Sequence, residues 1–187
     1  MKRGILGKFL LSAALVASLA AAADKGKSST PLTGADLEAR LRHEILMYSN
    51  YTIWDDVGFR VQDGNVSLLG AVSQPYKKSD IERIVQHVPG VASVTNEINV
   101  LPLSTQDDRL RLQIARAIFR DPVLSRYAMG GVPAIHIIVD NGKVTLTGAV
   151  NNVLEKQVAG MRASAAGLSF GPVVNNLTVD NPPAKKS

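Results

Sequence analysis

The stretch Val57-Gly-Phe-Arg-Val-Gln-Asp-Gly-Asn-Val-Ser-Leu-Leu-Gly-Ala-Val72 returns 78 residues later as Ile135-His-Ile-Ile-Val-Asp-Asn-Gly-Lys-Val-Thr-Leu-Thr-Gly-Ala-Val150. Both copies read as an alternating run, an Asp-Gly or Asn-Gly turn, a second alternating run, and Gly-Ala-Val. A repeat this long is a duplicated small domain, because solenoid units recur at shorter periods. The chain is therefore constrained to fold as two copies of one module.

Each copy carries the same further signals. In the first, Thr33 is placed to cap a helix beginning near Asp36, and Leu37, Leu41, Ile45 and Tyr48 fall on one helical face. In the second, Thr105 and Asp108 make a capping pair. Leu110, Ile114, Ala117 and Ile118 form the apolar face, and Asp121-Pro122 stops the helix. The Asp63-Gly64 and Asn141-Gly142 pairs suit the left-handed positions of a two-residue hairpin turn. Val66, Leu68 and Val72 alternate with small or polar residues, as do Val144, Leu146 and Val150, the pattern of strands with one buried face. Gly70 and Gly148 mark a bulge or a place where a helix sits tightly on the sheet. A second helix follows, its apolar face Ile81, Ile84, Val85 and Val88 in one copy and Val158, Met161 and Ala165 in the other. Val94–Val100 and Val173–Val179 then read as closing strands.

A strand, a helix and a strand in succession give a right-handed crossover and a parallel pair. The expected fold class is α+β: two tandem α-β-β-α-β modules, each a small three-stranded mixed sheet with two helices on one face. Units this small lie near the lower limit for a self-supporting core, so the two are expected to dock.

Residues 1–23 have the form of a signal peptide. Lys2, Arg3 and Lys8 give a positive start, Phe9 to Leu19 an apolar run shorter than the ~20 residues a membrane span needs, and Ala20 to Ala23 a small-residue cleavage region. With no cysteine anywhere, the chain has no disulfide framework and no lipid-bearing cysteine. The expectation is a soluble, unlipidated periplasmic protein. Residues 24–34 then form a linker, 35–103 the first module, 104–180 the second, and 181–187 a disordered tail. Without the three leader cations, the basic residues fall from 21 to 18 against 16 acidic ones. The first module holds 6 basic and 9 acidic side chains and the second 8 and 6. This asymmetry permits different partners for the two halves.

The hairpin ending in Gly-Ala-Val, the amphipathic helix after it, and Pro89-Gly90-Val91-Ala-Ser-Val94-Thr-Asn96 together resemble a BON domain, the bacterial OsmY and nodulation module. The first copy matches throughout. The second departs at Gly167-Leu-Ser-Phe-Gly-Pro-Val-Val-Asn175, one residue longer than its counterpart, and has five more residues between its first helix and first strand. The resemblance, to double-BON proteins similar to OsmY, implies a non-enzymatic periplasmic or envelope protein. It also implies contact with phospholipid surfaces, an association with osmotic and envelope stress, and no catalytic residues or cofactor.

The residues themselves point to no active site. His43, His87 and His136 are scattered, and His136 aligns with Gly58, so the copies share no histidine. Asp55, Asp56 and Asp63 lack the compact loop and closing carboxylate that calcium requires. Ser125 and Ser169 belong to no nucleophile motif. The distinctive group lies on the first helix of the second module, where Arg109, Arg116 and Arg120 share a stripe roughly 40° wide. Leu112 and Phe119 lie beside it, and Arg126 and Tyr127 follow in the next loop. Basic residues beside spare apolar ones suit peripheral contact with an anionic phospholipid membrane. The same stripe in the first copy holds Asp36, His43 and Met47. Tyr48, Tyr51 and Trp54 cluster in the first copy as half-buried core aromatics or, alternatively, a protein-contact patch. Two functions follow: lipid binding through the second module, or a protein-interaction role as a periplasmic chaperone or assembly adaptor for envelope or exported proteins. Nucleic acid is excluded as a partner by the small mature charge and the want of basic-aromatic interleaving.

Overall fold

A computed structural model describes residues 34–131, 133–167 and 169–180. The leader, Thr33 as a cap, and the tail lie outside the described residues. The first module runs α1 (Gly34–Leu46), β1 (Asp56–Gln62), β2 (Asn65–Val72), α2 (Pro75–Gln86), β3 (Ser93–Asn96) and β4 (Asn99–Val100). The second repeats the order as α3 (Thr105–Phe119), β5 (Ile135–Asp140), β6 (Lys143–Val150), α4 (Val153–Ala165), β7 (Val174–Asn175) and β8 (Thr178–Val179). In each, the hairpin is antiparallel and its second strand, central in the sheet, takes the last two short strands in parallel. The hairpins turn at Asp63 and Gly64 (φ 50° and 80°) and at Asn141 and Gly142 (φ 49° and 74°), the left-handed pair that a type I′ turn demands.

The closing strand is broken in both copies, and an asparagine accounts for the break. Asn96 Oδ1 accepts from the Ile98 amide at 3.1 Å, while its Nδ2 donates to the Lys78 carbonyl on α2 at 3.0 Å. Asn175 does the same with Leu177 and Lys156, at 3.3 and 2.7 Å. The side chain substitutes for a ladder partner, so the backbone bulges without leaving polar groups unsatisfied. Gly70 and Gly148 have φ of 108° and 105°, and an added Cβ would strike the carbonyl oxygens of Asp56 and Ala134. The close neighbour is thus the partner strand's backbone and not a helix.

Each module has its own core. Leu37, Leu41, Ile45, Val66, Leu68, Val72, Ile81 and Val85 pack in the first, and Leu110, Ile114, Ile118, Val144, Leu146 and Val150 in the second. Two local expectations are corrected. The cap of α3 is Ser104, whose hydroxyl accepts from the Asp107 amide at 3.2 Å, one residue before the expected pair. On α4 the buried residues are Glu155, Ala159 and Ala163, whereas Met161 and Ala165 are exposed and Val158 only partly covered. Small alanines let that helix lie close to the sheet, leaving no room for the larger side chains on that face.

The modules dock through the loop before β1. The Ile137 amide on β5 donates to the Ile53 carbonyl at 2.7 Å. The Tyr51 ring meets the His136 ring edge-on at 5.5 Å between centroids, and Trp54 packs against the core of the second module.

Candidate functional site

Helix α3 carries the arginine stripe, and its rotation is fixed at its first turns. Asp107 accepts from the amides of Asn141 and Gly142 at 3.0 and 2.9 Å, tying the helix to the hairpin tip. Arg111, buried, donates to the Val139 carbonyl at 2.7 Å and pairs with Asp108 at 2.5 Å. With Leu110, Ile114 and Ile118 turned inward, Arg109, Arg116 and Arg120 are all exposed. Among the described residues none of these three has a carboxylate partner.

Arg116 and Arg120 border a shallow hollow of about 430 Å³ that Ala117, Asp121, Pro122 and Arg162 complete. Arg162, from α4, donates through Nε to Asp121 at 2.6 Å, and the Val123 amide reaches the other carboxylate oxygen at 2.8 Å. The Val123 amide and then Arg162 hold the Asp121 carboxyl below its ordinary range. The hollow therefore has three guanidinium groups, one of them fixed in place. Sequence spacing on one helix could not reveal Arg162, because α4 comes beside the C-terminal end of α3 only on folding.

The remaining members of the sequence-derived group are placed differently. Leu112 is 47% exposed but borders a cleft of about 320 Å³ between the modules, with Trp54, Leu103 and Gln74 among its walls. Phe119 is partly buried against the second core. Arg126 is ion-paired with Glu155 and lies 5.3 Å from the Tyr127 ring centroid. The Tyr127 hydroxyl donates to Glu155 at 2.6 Å and accepts from the Asn151 amide at 2.9 Å. The Glu155 carboxylate thus joins the loop to the start of α4.

The first-module aromatics face inward and toward the neighbouring module. Tyr48 donates to Asp80 at 2.6 Å, and burial together with that carboxylate raises its pKa. The Tyr51 hydroxyl accepts from the Val57 amide at 3.1 Å, and burial pushes its pKa strongly upward. Tyr51 and Trp54 are both at the module junction.

Asp55 is a structural anchor. Fully buried, it accepts from Lys77 Nζ at 2.6 Å and from the amide and hydroxyl of both Thr52 and Ser73, at 2.7 to 2.8 Å. Burial alone would raise its carboxyl, but the bonds from Lys77, Thr52 and Ser73 outweigh that and leave it below the ordinary value. Lys77 has Glu155 as its counterpart in the second copy, so the buried charge on that helix changes sign between modules. Sequence reading could have found this pair by noting a lysine and a glutamate at one repeat position.

His43 and His87 are exposed, whereas His136 is buried against Tyr51, its Nδ1 without a partner among the described residues. Ser125 stands exposed in a short 3-10 turn, its hydroxyl on the Pro122 carbonyl, and the Ser169 hydroxyl donates to the Gly171 carbonyl. Among the described residues no three His, Asp or Glu side chains converge as metal ligands, and no helix is long and apolar enough to cross a membrane.

A family model described as the BON domain matches residues 33–102 and again 106–181. No curated protein matches the chain. Among solved structures, one of CdsD, described as a structural protein of the type III secretion system of Chlamydia trachomatis, is 15% identical with a TM-score of 0.31. That match covers 75% of this chain and 61% of the other. The C-terminal domain of CdsD is 13% identical with a TM-score of 0.29, over 79% and 99% of the respective chains. Superpositions this loose assign neither an arrangement nor a role.

Proposed function

Because the chain belongs to the BON domain family, with two copies in tandem, we propose that it is a periplasmic envelope-stress protein that docks reversibly on anionic phospholipid through its second module. The family is associated with membrane lipid and is in general non-enzymatic. The observation that carries the reading is the row of Arg109, Arg116 and Arg120, exposed and without carboxylate partners among the described residues, on a helix clamped at its start. Arg162 beside Arg116 and Arg120 adds a concave, cation-lined place suited to a phosphate headgroup. The exposed Val123, next to Pro122 at the rim of that hollow, gives an apolar side chain at the level where a membrane surface would lie. Arg126 and Tyr127 are engaged by Glu155, so the attraction rests on the α3 arginines.

Each arginine near an anionic surface contributes about 1 kcal/mol at low salt. Three such contacts amount to roughly 100-fold in affinity for anionic over neutral membranes. Sedimentation of the mature protein with anionic and with neutral vesicles, at low and high salt, tests this. Binding is expected to anionic vesicles only, to fade as salt rises, and to fall by more than about tenfold in Arg116→Glu/Arg120→Glu. Vesicle binding untouched by that double substitution would place the lipid contact elsewhere.

A further inference from the structure

Among the described residues strand β1 is the edge of its sheet, where it pairs only with β2. The equivalent edge, β5, does not stay open. The segment Tyr51–Trp54 lies along it, with the Ile53 carbonyl on the Ile137 amide at 2.7 Å, Tyr51 against His136, and Trp54 on the core behind. The two hairpins share one register, Phe59 opposite Leu68 as Ile137 is opposite Leu146. Alternation in an antiparallel pair therefore points the Phe59 amide outward, as it does that of Ile137.

Beside Phe59 is a groove of about 180 Å³, walled by Val57, Gly58 and Phe59 from β1 and Arg42, Ile45 and Leu46 from α1. The Arg42 guanidinium lies 5.7 Å from the Phe59 ring centroid and is exposed. In the second module the position of Arg42 is held by Ala115, and that of Gly58 by His136. Module one thus has the same outward amide as module two and an added positive charge.

We propose that this β1 edge is a docking site for an extended segment of another protein that carries an aromatic side chain beside acidic residues. The segment would add to the sheet through the Phe59 amide, set its aromatic ring in the groove, and place its carboxylate against Arg42. The chain's own arrangement is the precedent for the aromatic part, because Tyr51–Trp54 lies against the matching edge with its Tyr and Trp, and the acidic part answers the exposed Arg42. The chain's other segments do not qualify as occupants. Residues 24–33 and 181–187 contain no aromatic residue and carry lysines that Arg42 would repel. A second copy holds its own Tyr51–Trp54 segment on its own β5 edge, and its loop before β5 has Pro133 where the first module has Asp55.

The probe is a blocked Tyr-Thr-Ile-Trp-Asp-Asp peptide titrated into the isotope-labelled mature chain, with amide shifts followed by NMR. Saturable shifts are expected at Gly58, Phe59 and Arg42, weakened at least tenfold by Arg42→Glu and lost when the peptide's Trp is replaced by Ala. Arg42→Glu exchanges one exposed side chain, and a spectrum unchanged away from α1 and β1 verifies its fold. No shift at the β1 edge at millimolar peptide, or shifts confined to Ile137 and its neighbours, would overturn the proposal. So would sedimentation showing a dimer of the free chain that Arg42→Glu dissolves. Vesicle binding by the same Arg42→Glu protein is expected to be unchanged, which separates this site from the lipid-facing arginines.

Discussion

Asp55 and Lys77 form a buried ion pair at 2.6 Å that joins the loop before β1 to the first turn of α2. The sequence offers Asp55 as one of three loop aspartates; only folding brings it to Lys77, 22 positions away, where both side chains are buried. Removing one partner strands the other charge, so Asp55→Asn is expected to cost about 3–5 kcal/mol in urea unfolding at pH 7. Asp55→Val/Lys77→Met should recover much of that, because replacing both charges removes the desolvation penalty as well as the attraction. The pair also sets an acid limit. The Asp55 carboxyl lies below its ordinary value in the folded chain. Its contribution is therefore complete above the unfolded pKa near 4 and is lost as pH falls through the lower folded value. Acid titration of stability should show a steeper loss below about pH 4 in the native chain than in the double variant. An equal slope in both would remove Asp55 as its source.

The hairpins, both helix faces of the first module and the helix stop at Asp121-Pro122 follow from spacing and turn chemistry. The strand breaks at Asn96 and Asn175 do not, since each depends on a helix carbonyl that the asparagine reaches only after the crossover has formed. The face of α4 departs from its hydrophobic pattern for a related reason: Ala159 and Ala163 are buried because the helix packs close, and hydrophobicity alone favours Met161. Gly70 and Gly148 were legible as special positions, but their neighbour was not. Gly70→Ala or Gly148→Ala should each cost about 2 kcal/mol or more, from a positive φ and from the opposing carbonyl. Thermal unfolding of the two variants measures this, and a drop of only a few tenths would mean the strands can separate without penalty. On α3 the arginine stripe was visible as a pattern, yet Arg162, which shares its hollow, was not.

At the scale of the whole molecule, the modules are coupled by a loop of one and an edge strand of the other. Ile135, His136, Ile137 and Val139 of β5 are all buried, whereas the β1 counterparts alternate. That loss of alternation was the available sign of a second covered face, and Tyr51 and Trp54 provide the cover. Trp54→Ala should cost about 2–3 kcal/mol, at or below the low end for a large aromatic because the ring is only partly buried. Calorimetry should then resolve two transitions where one is expected of the intact chain; a single, unshifted transition would mean the modules are held together by something other than this loop. The two modules, their α-β-β-α-β order, their hairpin turns and the charge contrast between their first helices can all be read from the chain before it folds. Those properties are written in local periodicity and in the conformations individual residues permit. Which charges are buried, which aromatics join the modules and which sheet edge stays open among the described residues emerge on folding alone. These depend on contacts between residues distant in the chain, whose desolvation and geometry no local pattern encodes.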